Sequence, residues 1–265
     1  MQELAKNIMP LLSEHGNNIT LNEKLFARIK AVYDQKDQAN LTPEQSKLLE
    51  KVYNSFVRSG ANLEGEAKEQ YRALSKELSL LTLQFGENNL KETNDYKLVL
   101  TDPAQLAGLP QSAIDAAAET AKEKGVEGWV FTLQAPSYSP FMTYASNRDL
   151  RCKLYMAYNT KCTHDNETNN LEIVKKLVNT RLAIAQLLGY SSFAEYNLQE
   201  RMAENSGNVY KLLDQLLDAY TPTAKQEYAE VEALARQLEG SDFTVMPWDL
   251  SLIHISEPTR PLYIS

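Results

Sequence analysis

The amino-acid sequence predicts a mainly α protein with one small strand pair. Three observations carry that reading. Apolar residues recur at three- and four-residue spacing along most of the chain. Helix-start and helix-stop signals bracket those stretches. The spacing changes to alternation in only two short places.

Residues 21–35 place Leu25, Ile29 and Val32 on one stripe. Thr42-Pro43-Glu44-Gln45 is a helix start: Thr42 as N-cap, Pro43 in the first turn, Gln45 reaching back. Leu48, Leu49, Val52 and Phe56 follow on one face, and Gly60 ends the helix. A long helix is expected over residues 63–93, with Tyr71, Leu74, Leu78, Leu81 and Phe85 as its buried stripe. At its length it spans about 45 Å, the dimension of a spine in a larger helical assembly. The two alternating, β-rich stretches are residues 96–101 and 129–133. Between them, Pro110 opens and Gly125 closes an alanine-rich helix over 111–124. Pro136 and Pro140 predict a loop. Asn147 caps a helix over 148–160. Leu171, Val174, Val178, Leu182, Ala185 and Leu188 form the stripe of the helix over 169–188. Ser192-Phe193-Ala194-Glu195 reads as a second capping box. A last helix runs from Ser206 to Glu239, with a kink expected after Tyr220 because Pro222 interrupts it.

The break at Leu250 bounds what can be concluded. The eleven residues Leu250 to Arg260 resemble a translated sequencing adapter, the transposase end used in library preparation. Residues 1–249 are therefore expected to be an α-helical, non-catalytic part of a longer protein, and residues 250–265 a non-native tail. The tail holds one acid, Glu257, and one base, Arg260, so the formal net charge of −8 is unaffected. That acidic balance argues against nucleic acid, which needs a basic face. No apolar run is long enough to cross a bilayer, so no membrane role is expected. Cys152 and Cys162 are the only cysteines. They are too few for a disulfide framework and read as reduced thiols. A cytoplasmic compartment is favoured on that ground, with the periplasm as the alternative.

Catalytic chemistry is hard to find. The histidines are His15, His164 and His254, and His254 falls in the tail. His15 sits beside Gly16 at an expected helix end, and His164 lies in a polar loop; both read as surface residues. The chain contains no H-E-x-x-H, phosphate loop, dinucleotide fingerprint or nucleophile elbow. Glu66, Glu69 and Glu77 fall on solvated helix faces. Tyr138, Tyr144, Tyr155 and Tyr158 could line a peptide channel, but core packing with hydroxyls at the rim is favoured. Arg148 and Arg151 could clamp a carboxylate; pairing with Asp149 and nearby acids on helix surfaces is favoured. No catalytic and no metal-ligating residue is assigned, and no substrate-binding residue can be named.

A resemblance carries the reading further. Blocks in order are Leu25 to Lys30, Phe56 to Ala61, Leu81 to Asn88, Leu106 to Pro110, Trp129 to Leu133, Pro140 to Arg151, Ala185 to Tyr190, Ala194 to Tyr196 and Met246 to Asp249. Together they resemble the amino-terminal half of the thimet-oligopeptidase family of zinc metallopeptidases, nearest its dipeptidyl carboxypeptidase (peptidyl-dipeptidase) branch. The resemblance implies a zincin-type α-rich body with a narrow channel that admits short unfolded peptides. Zinc would be held by two histidines of H-E-x-x-H and a downstream glutamate, all beyond Asp249. It implies release of carboxyl-terminal dipeptides by the whole enzyme and inactivity of this piece alone. The alternatives are an endo-acting oligopeptidase of the same family and a non-catalytic helical binding module.

Overall fold

The computed structural model describes residues 2–250. Apart from Leu250, the stretch read as a foreign tail lies outside them, and His254 with it. The described residues form ten α-helices and one two-stranded antiparallel sheet; the mainly α class with a single strand pair is the one the spacing predicts. No described helix is long and apolar enough to cross a membrane. The described residues divide into two compact units, one of 2–87 with Asn170–Tyr210 and one of Asn88–Asn169 with 211–250.

The first unit is all helical. It contains α1 (Gln2–Thr20), α2 (Glu23–Asp34), α3 (Pro43–Arg58), the longer part of α4 (Gly65–Asp95), α8 (Leu171–Leu187) and α9 (Phe193–Leu198). The capping box of α3 forms as read: Gln45 N–H donates to Thr42 Oγ1, and the Gln45 side chain accepts from Thr42 N–H. The second box differs. Ser192 caps α9, but Glu195 turns back to Ser191 rather than to Ser192. Phe26 stacks between Tyr53 and Phe56, and Tyr33 lies on Tyr53 at 3.8 Å. Buried Lys68 is held by Glu23 at 2.8 Å.

Helix α8 corrects the expected core. Ala185 of the predicted stripe is buried, but the other buried residues are Ile173, Leu177 and Ile184, which lie outside that stripe, with Ile173 and Leu177 against Leu81. Leu171, Val174, Val178 and Leu182 of the predicted stripe stay 36–57% exposed. This helix has two apolar faces, and periodicity alone could not rank them. Helix α1 brings a second correction: it runs unbroken through His15 and Gly16, so His15 is mid-helix and exposed rather than at a helix end.

The second unit holds the sheet. Strand β1 (Leu98–Leu100) pairs with β2 (Trp129–Phe131) in the register Leu98↔Phe131, Val99↔Val130, Leu100↔Trp129. Both strands are shorter than the alternating stretches that predicted them. Helix α5 (Gln111–Glu123) buries Ala117 and Ala121. Residues 135–144 are helix α6 (Ala135–Tyr144), not the loop the prolines suggested. Pro136 occupies the first turn, where a missing N–H is harmless. Pro140 forfeits one helical bond, offset by burying Phe141 and Met142. Helix α7 (Arg148–Asn159) starts at Asn147, whose Oδ1 accepts from Leu150 N–H at 3.1 Å. The core joins Leu100, Leu106, Phe131, Phe141, Leu150 and Leu154, with Phe131 edge-on to Phe141 at 4.6 Å. Helix α10 (Ser206–Glu239) stays α-helical through Pro222; the carbonyl of Asp218 that the proline leaves unpaired belongs to an exposed residue.

Gly108 shows how tightly this unit closes. Its φ is +85°, and a Cβ there would collide with the Tyr144 carbonyl oxygen. Ser146 N–H donates to Ala107 O at 2.9 Å at the same joint. Gly125 also has positive φ but open space around it. Gly108→Ala is expected to lower stability by more than about 2 kcal/mol, and Gly125→Ala by about 1 kcal/mol. Urea unfolding followed by fluorescence of Trp129 and Trp248, both in this unit, checks the difference.

Candidate functional site

Charge is concentrated at one buried place in the second unit. Asn147 starts α7 so that Arg148 and Arg151 fall three residues apart, on one face. The segment after α10 returns to that face and delivers Asp249, which is 2% exposed. Arg148 Nε donates to Asp249 Oδ1 at 3.1 Å and Nη2 to Oδ2 at 2.8 Å. Arg151 Nη2 donates to Oδ1 at 3.0 Å, and Met246 N–H to Oδ2 at 3.0 Å. The rest of Arg151, itself 2% exposed, is used on backbone: Nε donates to Trp248 O, Nη1 to Ala145 O and Ser146 O.

The two arginines do clamp a carboxylate, but an internal one. Asp149, the favoured partner, is exposed and outside the cluster, because adjacent residues on a helix do not face each other. Burial alone would raise the Asp249 carboxyl; the Arg148, Met246 and Arg151 hydrogen bonds outweigh it and hold the group below its ordinary value. Asp249 in turn pushes Arg148 up. Both oxygens of the carboxylate are engaged by these donors.

Two smaller knots repeat the pattern. Glu92 on α4 accepts from Cys162 N–H at 2.7 Å and Thr168 Oγ1 at 2.9 Å. Cys162 has φ +59°, and burial followed by its hydrogen bond to Glu92 pushes its thiol up to about 11. Such a thiol is a poor nucleophile at neutral pH. Both cysteines are free thiols. In the first unit Arg58 donates to Tyr196 O at 2.7 Å and Gln199 Oε1 at 2.8 Å, with its guanidinium 4.3 Å from the Tyr196 ring.

The other residues singled out in the sequence do not converge. His164 is exposed, with Nε2 3.7 Å from Glu92 Oε1. Glu66, Glu69 and Glu77 are exposed on α4, as read. Tyr138 stacks on Tyr158 at 4.2 Å, Tyr155 meets Trp248 edge-on, and Tyr144 is 42% exposed. Tyr138 and Tyr155 pack on the core, matching the favoured reading for those two. Among the described residues no three of His, Cys, Asp and Glu gather to hold a metal ion. A groove of about 470 Å³ is lined by residues that include Ala113, Ala117, Phe131, Lys124, Gln134 and Ser137. A second, of about 500 Å³, is apolar and lined by Ile29, Val32, Leu48 and Val52.

The clamp yields a test. Asp249→Ala leaves two guanidinium groups without their anion and is expected to destabilise this unit by about 3–5 kcal/mol at neutral pH. A carboxyl titrating below its unfolded value of about 3.8 adds stability above that pH and loses it as pH falls through the folded value. The tryptophan-reported stability of the native sequence should therefore drop on acidification below about pH 4, and that of Asp249→Asn should fall less steeply.

Comparison with known proteins places these joints in a family setting. The model of peptidase family M3 matches residues 141–256. The chain is 32% identical over 254 residues to oligopeptidase A of Haemophilus influenzae, covering 94% of this chain and 37% of that protein. It is 32% identical over 255 residues to oligopeptidase A of Escherichia coli, covering 95% and 37%. It is 31% identical over 250 residues to the dipeptidyl carboxypeptidase of Escherichia coli, covering 94% and 37%. The chain thus spans little more than a third of the length of these relatives. The resemblance drawn from the sequence blocks is borne out: this chain is a relative of the oligopeptidases A and dipeptidyl carboxypeptidases, with a peptidase family M3 match over residues 141–256.

Proposed function

We propose that this chain is the non-catalytic, helical part of a zinc metallopeptidase that cleaves short unfolded peptides, and that it is inactive alone. The observation that carries the proposal is similarity over 94% of the chain to peptidases of which it spans 37%. Zinc and its activated water belong, in this proposal, to sequence beyond the clamp at Asp249, and the compartment is cytoplasmic. Residues 250–265 are taken as foreign to the enzyme in this reading, although the family match runs on to residue 256.

Release of carboxyl-terminal dipeptides is our first reading of the product pattern, on the resemblance of the sequence blocks and the relatives named dipeptidyl carboxypeptidase. Endo-acting cleavage is the second, favoured by relatives named oligopeptidase A at 32% identity against 31%.

Purified chain supplied with zinc is expected to hydrolyse no peptide above the buffer rate, whereas the longer polypeptide encoded by the source DNA should do so and lose activity to a chelator. Turnover by the 265-residue chain would overturn the inactivity, and a longer reading frame without H-E-x-x-H would overturn the peptidase. Mass spectrometry of products from blocked hexapeptides separates terminal dipeptides from internal cuts.

A further inference from the structure

Helix α10 changes character along its length. In its later part Val231, Leu234 and Ala235 pack with Phe243, Val245 and Leu250. In its earlier part Leu212, Leu213, Leu216, Leu217 and Tyr220 are 57, 51, 40, 64 and 66% exposed. At about 100° per residue these five fall in one sector roughly 140° wide. Lys211, Asp214, Gln215 and Asp218 fill the opposite side and are exposed too. The helix is amphipathic, yet its apolar side is as open as its polar side. That leaves roughly 500 Å² of apolar surface, the scale of the largest patches on monomers, which are often functional.

We propose that this face of α10 seats polypeptide from the part of the longer enzyme that this chain does not span. The inference rests on the reading under Proposed function. Two observations select this occupant. Roughly two thirds of the relatives' length lies outside the chain, so there is polypeptide to supply the cover. The open face lies within residues 141–256, the segment that matches the family. Leu213, Leu216 or Leu217, and Tyr220 are spaced as the anchors of a helix laid against an apolar surface. A second copy of the chain is the competing occupant.

The test is cysteine accessibility. Leu213→Cys lies at the centre of the face, and Asp218→Cys lies opposite it. Each is alkylated with iodoacetamide in the 265-residue chain and in the longer polypeptide, and the modified peptide is counted by mass spectrometry, apart from Cys152 and Cys162. Leu213→Cys should react at least about tenfold more slowly in the longer polypeptide, with Asp218→Cys unchanged. Tyr220→Cys repeats the measurement should the first variant misfold by circular dichroism. Equal rates in the two polypeptides overturn the proposal. Shielding already present in the 265-residue chain overturns it as well, and identifies a second copy where it appears at micromolar but not nanomolar protein. A reading frame with no further segment also overturns it. Loss of the peptidase reading is scored separately by peptide hydrolysis, so an enzyme without zinc activity but with a shielded Leu213→Cys would leave the docking face standing.

Discussion

One carboxylate with almost no access to water organises the second unit. Asp249 needs the two guanidinium groups because a lone buried anion is expensive. The guanidinium groups need Asp249 because Arg151 is equally buried. Their mutual dependence ties the segment after α10 to the start of α7, across 101 residues of sequence for Arg148. Val245 and Met246 are fixed by the same joint, Val245 against Ala235 and Met246 through its N–H on the carboxylate. Buried ion pairs are weak evidence for net stability, but Arg151 also donates to three backbone carbonyls, which gives the joint one geometry.

The residues that carry the family resemblance are largely those that make such joints. Phe56 to Ala61 and Ala194 to Tyr196 meet where Arg58 grips Tyr196. Leu106 to Pro110 meets Pro140 to Arg151 where Gly108 passes under Tyr144. Met246 to Asp249 closes on Arg148 and Arg151. At each of these joints the matched residues are engaged with one another, so what the match reports there is packing that holds elements together.

Much of the fold was legible because its signals are local. Thr42 with Gln45, Asn147 and Gly60 mark helix ends through contacts within a few residues of themselves. The stripe on α8 is legible as apolar, but not which face is buried, since that depends on what else is present to pack. The proline-marked stretch was misjudged because the burial of Phe141 and Met142, a tertiary gain, outweighs the local preference against helix. Asp249 and Glu92 could not be assigned roles from sequence. Their partners lie about 100 and 70 residues away, and no spacing rule reaches that far.

The sheet is small, but its connectivity constrains the order of assembly. Leu100 and Trp129 are neighbours in the ladder although residues 101–128 intervene. Closing an arc of that length costs about 2 kcal/mol more entropy than a two-residue turn. Three residue pairs offer little return for that outlay until something shortens the arc. Helix α5 does so by gathering Gln111–Glu123 into a compact rod that then rests on β2. The strands should zip only once that rod exists, which makes the alanine-rich helix a kinetic gatekeeper for the surrounding core.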